Sequence, residues 1–292
     1  MLGCGEKDMG IRAPEMIDIK VLNLHLLASC NLKCDNCSAY SNLSVDGTVQ
    51  TAEQAKADLI NWKPYINPIR LQILGGEPLL HKELKDIIKI ARELYPNTDL
   101  RLYTNGLLLK RHKDIKETLK KYNCMLVISV HSVDERYKKL LYENLYEFLD
   151  GDTKTEEISK SIVSFGKVFR KQGISIELRD MVTSWSRVYK KGIKPYNSDY
   201  KKAHEVCRWK HCTQLYQGNL WKCTQTAFFN DLMRRINNHK DWDQYKDKYT
   251  PLKHDDSQEI KDKWFSEFLS PEPICAMCRD NINDMIVHKS VW

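Results

Sequence analysis

An α/β fold is what the sequence predicts: a partial, open parallel β/α barrel followed by a small cysteine-rich C-terminal domain. Three observations point there. Strand-like and helix-like segments alternate along much of the 292 residues, the pattern of a parallel sheet with crossover helices. Five such units are clear, too few to close an eight-stranded barrel. Five of the ten cysteines lie between residues 207 and 278, a shift that marks a second region. The expected division is an N-terminal arm at 1–16, a core at 17–195 and the cysteine-rich domain at 196–292.

The elements follow in order. Ile17–Leu27 reads as a strand, with Cys30, Cys34 and Cys37 directly after it. Thr51 with Gln54 makes a capping box for a helix that ends before Pro64. Ile69–Leu74 is a strand closed by Gly75-Gly76-Glu77-Pro78. Leu80–Tyr95 has Leu84, Ile87, Ile88, Ala91 and Leu94 on one helical face. Leu100–Thr104 is a strand turned by Asn105-Gly106. A helix near 110–122, the strand Met125–Val130 and a helix near 134–149 come next. Thr153 with Glu156 opens a helix expected to run to Gly173, and Ile174–Leu178 is the fifth strand. A sixth is expected within Trp185–Lys191.

Alternate side chains of a strand point to opposite faces. One parity is apolar throughout: Leu22, Leu24, Leu26; Leu71, Ile73; Leu100, Leu102; Leu126, Ile128; Ile174, Ile176, Leu178. That face should meet the helices. The other carries Asn23, His25, Gln72, Arg101, Tyr103, Ser129, His131, Glu177 and Arg179. Polar choices on all five strands predict a wet cavity, with His25, Gln72, Arg101, Tyr103, His131 and Glu177 as substrate contacts. In barrel-like α/β folds chemistry sits at the C-terminal strand ends. The cysteine segment, Gly75–Pro78, Thr104–Gly106 and Ser129–Ser132 all fall there.

Composition narrows the classes. Hydrophobic residues make up 42% and charged residues 29%, as in globular proteins. The longest apolar run, Cys124–Ile128, is far short of the ~20 residues that cross a membrane. The N-terminus lacks an apolar signal region, so a cytoplasmic location is expected. The net charge of +7 is spread over solvated stretches, and no pattern of a nucleic-acid-binding motif accompanies it. Cysteines in a reducing compartment are metal ligands more often than disulfides.

The spacing of Cys30, Cys34 and Cys37 is C-x3-C-x2-C. A [4Fe–4S] cluster normally takes four cysteines. Three leave one iron open to a small molecule. Zinc is the rival reading, with His25 as the one candidate fourth ligand, since structural zinc wants four. This motif, with Gly75–Pro78 after the second strand, resembles the radical S-adenosylmethionine (SAM) superfamily over roughly residues 15–180. The resemblance implies that Gly75, Gly76, Glu77 and Pro78 hold the SAM amino group. It also implies that Asn105 and Ser129 contact its ribose and carboxylate. Asn36 stands where an aromatic residue is common before the third cysteine, and Tyr40 is expected to substitute. The implied reaction is reductive cleavage of SAM to a 5′-deoxyadenosyl radical that takes a hydrogen atom from a substrate.

Cys207, Cys212, Cys223, Cys275 and Cys278 resemble the SPASM/twitch extension of that superfamily. Five cysteines suffice for one auxiliary [4Fe–4S] cluster and leave one spare, with Cys212 the expected spare; a zinc ribbon is the rival. The layout resembles twitch-bearing aminocyclitol dehydrogenases. This implies a radical SAM oxidoreductase acting on a small sugar-like molecule. Arg179 would assist deprotonation or bind an anionic group. An electron donor such as flavodoxin or ferredoxin would be a partner. Epimerisation, with the spare thiol as hydrogen donor, stays open, as does peptide maturation. The short arm before the first strand speaks against a peptide-binding domain. A zinc-binding scaffold is the non-enzyme alternative.

Overall fold

The computed structural model describes residues 16–43, 47–132, 134–152, 168–180, 185–237, 239–286 and 290–291. Ten strands matter here: β1 Ile17–His25, β2 Lys33–Cys34, β3 Ile66–Leu74, β4 Asp99–Thr104, β5 Met125–Val130, β6 Val168–Lys171, β7 Ile174–Asp180, β8 Trp185–Ser186, β9 Cys212–Tyr216 and β10 Asn219–Trp221. One eight-stranded sheet runs in the order β10-β9-β1-β3-β4-β5-β7-β6. Its six central strands are parallel, and antiparallel β10 and β6 form its two edges. This mostly parallel, unclosed sheet is the partial barrel that the sequence predicts.

The helices α1 Ala52–Trp62, α2 Leu84–Leu94, α3 Ile115–Lys121 and α4 Glu135–Phe148 are those of the first four crossovers. Thr51 and Gln54 form the expected capping box on α1. The α2 helix starts later than its periodicity suggests. Pro78–Leu80 forms a separate 3-10 turn, capped by the Glu77 side chain. The apolar parity of β1, β3, β4, β5 and β7 is buried in one cluster with Leu59, Trp62, Ile87, Ile88, Leu119 and Leu141 of the helices. Each such side chain contributes about 1.5–3 kcal/mol when removed from water.

Three expectations are corrected. The helix expected to reach Gly173 cannot do so, because Val168–Lys171 is strand β6. Gln172 (φ 50°) and Gly173 (φ 82°) turn it back into β7, the paired positive φ values of a tight hairpin. Thr153, Glu156 and the rest of that segment to residue 167 lie outside the described residues. The sixth parallel strand is β9, beside β1. Trp185–Ser186 instead pairs with Met285–Ile286 away from the main sheet. The 195/196 boundary is therefore crossed by the sheet itself. The later residues do have a second apolar cluster, with Tyr216, Trp221, Phe228, Trp242, Ile274 and Met277 at its centre, and Ala39 and Tyr40 join it from the cysteine loop. The arm at 1–16 is described only at Met16.

Candidate active site

The C-terminal strand ends frame a cavity of about 400 Å³. Cys30, Cys34 and Cys37 form part of its wall, with Gly75, Gly76, Asn105 and Ser129 close by and His25, Gln72, Tyr103, His131, Arg179 and Cys212 around the remainder. The cysteine loop and the glycine turn are pinned together by backbone. Gly76 N–H donates to the Leu27 carbonyl at 2.7 Å, and Glu77 N–H to that of Ser29 at 2.9 Å. A Cβ on Gly76 would stand 2.1 Å from the Ser29 oxygen, so no other residue fits.

Glu77 does not line the cavity. It is fully buried, and its carboxylate accepts from Leu79 N–H (3.0 Å), Thr104 Oγ1 (2.7 Å) and Asn105 N–H (2.8 Å). Burial pushes this carboxyl up and the three donors pull it back. The Glu77 side chain, expected to contact a ligand amino group, ties the glycine turn to the end of β4. Pro78 is buried at the start of the following 3-10 turn and also lies outside the cavity lining. The side chain of Asn105 reaches the cavity but is held by Asn31 Oδ1 (2.7 Å) and by Leu107 N–H (3.0 Å).

Tyr40 is corrected. Wholly buried, it donates to Gln225 and stacks on Tyr189 at 6.2 Å. The aromatic residue on the cavity wall beside the cysteine loop is Trp185, whose indole donates to the Asp35 carbonyl at 2.8 Å and packs edge-on to His131 at 5.7 Å. Asn36 takes a left-handed conformation (φ 56°), which asparagine tolerates. Its Oδ1 accepts from Val188 and Tyr189 N–H (3.1 and 3.2 Å), bracing the loop.

Arg101 and Glu177 pair with each other at 2.7 Å and stand behind the cavity wall rather than on it. They hold a chain of contacts. Glu177 binds Arg179 at 3.0 Å, Arg179 Nη1 donates to Tyr103 Oη at 2.7 Å, and Gln72 Nε2 donates to the same oxygen at 3.1 Å. Sequence reasoning passed over Arg70, Gln214, Trp185 and Trp209, all on the cavity wall. Strand parity could have found Arg70, two residues before Gln72.

The C-terminal cysteines separate. Cys207, Cys223, Cys275 and Cys278 line one narrow pocket of about 40 Å³, whereas Cys212, on β9, lines the large cavity. Trp209 forms part of both walls. Burial pushes Cys30 and Cys207 up to about 12 and Cys275 to about 11, and drives Cys34 and Cys278 up as well. Such thiols keep their protons in neutral solution unless a metal cation displaces them. Among the described residues no three His, Cys, Asp or Glu side chains close on a single ion. A cubane cluster spreads its thiolates over separate irons. The thiol-only donor sets and the glycine cradle fit iron–sulfur groups and a ligand seated against the turn.

Residues 25–150 match the model of the Radical SAM superfamily. A [4Fe–4S] cluster and SAM are the cofactors expected from that match. GTP 3′,8-cyclase from Aquifex aeolicus (strain VF5) is 35% identical over 130 residues, 42% of this chain and 39% of that protein. The 7,8-dihydro-6-hydroxymethylpterin dimethyltransferase of Methanocaldococcus jannaschii is 32% identical over 96 residues, 32% of this chain and 19% of that protein. The chain thus spans well under half of these curated relatives' length. Among solved structures, BtrN in complex with AdoMet and 2-DOIA covers 93% of this chain and 89% of its own at 13% identity and a TM-score of 0.45. No helix among the described residues is long and apolar enough to cross a membrane.

Proposed function

We propose that this chain is a radical SAM oxidoreductase that oxidises a small sugar-like substrate with the help of an auxiliary [4Fe–4S] cluster, in the manner of 2-deoxy-scyllo-inosamine dehydrogenase. Cys30, Cys34 and Cys37 would hold the SAM-binding cluster. Gly75 and Gly76 would present backbone to the SAM amino group, with Ser129 facing its polar end. Cys207, Cys223, Cys275 and Cys278 would hold the second cluster. When bound, these groups supply one-electron cleavage of SAM, removal of a substrate hydrogen atom and uptake of the second electron. The observation that carries the reading is Trp209, which walls both the cavity and the four-cysteine pocket. The second electron would then have only a short way to travel. Arg179 serves as a fixed positive charge, because a guanidinium does not give up its proton in proteins. A flavodoxin- or ferredoxin-like donor and a cytoplasmic setting complete the proposal.

Anaerobically purified protein should be brown, with about eight irons per chain. Given dithionite, it should convert SAM to methionine and 5′-deoxyadenosine. Stoichiometric zinc without SAM cleavage would reject the reading. Epimerisation is kept as a second reading because Cys212 faces the cavity instead of joining the other four cysteines. Cys212→Ala decides between them. Oxidation leaves turnover intact, whereas epimerisation loses product while SAM cleavage continues.

A further inference from the structure

Among the described residues, the Lys, Arg, Asp and Glu side chains on the cavity wall are of one sign. Arg70 and Arg179 line it, with no Asp, Glu or Lys among the lining residues. Their side chains are 33% and 36% exposed. Behind them, Arg70 and Arg101 share Asp99 at 2.8 Å each, and Arg101 and Arg179 share Glu177 at 2.7 and 3.0 Å. Among the described residues three guanidiniums thus divide two carboxylates, an excess of one positive charge. Arg70 and Arg179 line the same cavity, and Arg179 Nη1 donates to the Tyr103 hydroxyl there at 2.7 Å. An excess of positive charge on the wall of a partly enclosed cavity attracts an anionic ligand.

The neighbouring strands β1 and β9 carry a second signal. Asn23 (4% exposed) and Gln214 (1%) stand on the same cavity wall, and each has a buried side-chain oxygen with no protein donor. Gln214 is oriented by its own amide, which donates to the Cys212 carbonyl (2.8 Å) and Thr224 Oγ1 (3.2 Å), leaving Oε1 as acceptor. Acceptors without donors suit a hydroxylated ligand.

We infer that the substrate is an anionic polyol, a sugar carboxylate or sugar phosphate, whose anionic group is held by Arg70 and Arg179 while its hydroxyls donate to Asn23 and Gln214. A cationic aminocyclitol meets no carboxylate among the described residues of this wall, so the inference narrows the proposed sugar-like substrate to its acidic members. It rests on the proposed enzyme reading only for the word substrate. Binding needs no turnover.

The test uses holoenzyme with saturating SAM and reads the fluorescence of Trp185 and Trp209, which line the cavity, confirmed by calorimetry. The probes are glucuronate, glucose 6-phosphate and neutral glucose. At least one acidic probe should bind ten-fold or more tightly than glucose, and the difference should shrink at high salt. Which acidic probe binds better identifies carboxylate or phosphate. Arg70→Met and Arg179→Met should each remove the preference, and Arg70→Lys and Arg179→Lys should keep part of it, which separates lost charge from lost folding. Equal binding of all three probes, no binding once SAM is present, or a preference that survives both Met variants overturns the inference. Failure of SAM cleavage in a protein that still prefers acidic probes would count against the proposed reaction and leave the anion site standing.

Discussion

Cys30, Cys34 and Cys37 occupy one short segment after β1, with Cys34 on β2. Cys207, Cys223, Cys275 and Cys278 come instead from three segments and meet only in the folded chain. The trio opens on a cavity of about 400 Å³, the quartet on a pocket of about 40 Å³. A loop with three thiols beside free space leaves room for a reacting ligand. Four thiols around a small space would, on the proposed function, surround their group and leave it electron transfer. On the proposed function, the two sites would do different work because of how many thiols each has and how much room lies beside it.

The largest expected effect breaks this division directly. Cys34→Ala should lower 5′-deoxyadenosine formation on the order of a thousandfold, about 4 kcal/mol of barrier. Cys275→Ala should leave SAM cleavage within several-fold of the parent while stopping substrate oxidation. Equal losses in the two variants would mean that the sites are not separable. Next in size, Gly76→Ala should destabilise the fold by at least about 3 kcal/mol, because its Cβ would meet the Ser29 backbone. A denaturant melt measures this. Glu77→Gln removes one acceptor from a carboxylate that serves three donors and should cost about 2 kcal/mol. It should also weaken SAM binding by loosening the glycine turn, which a titration of SAM into the holoenzyme reads.

The smallest effect is graded with pH. Burial, helped by Arg235, holds His25 down at about 3 against an ordinary 6.5. Between those values the unfolded chain binds a proton that the folded chain refuses. Stability therefore falls as pH drops through that window, by at most about 1.4 kcal/mol per pH unit from this residue. His25→Gln should flatten the slope in thermal melts at pH 7, 6 and 5, compared with the parent. An unchanged slope would show that His25 is not held neutral.

Several features were legible because they are local. The C-x3-C-x2-C spacing, the Gly75–Pro78 turn, the Thr51 capping box and the parity of Leu22, Leu24 and Leu26 each depend on residues a few positions apart. Periodicity is a short-range signal, so it located the strands and the polar face of the cavity. It could not separate Arg101 and Glu177, which pair behind the wall, from Arg179, which lines it, since all three share a parity. It also missed β9, whose five residues are short and partly polar and whose partner β1 lies at the far end of the chain.

By itself, the amino-acid order determined the open barrel, the cysteine loop after the first strand and the glycine turn that faces it. Backbone geometry and side-chain period dictate these without regard to distant residues. Only the tertiary structure decided that Glu77 is spent on the scaffold, that Trp185 rather than Tyr40 stands on the cavity wall, and that Cys212 parts from the other four cysteines. Those outcomes turn on which of several nearby groups can be buried with its hydrogen bonds satisfied, and that competition is settled among elements far apart in sequence.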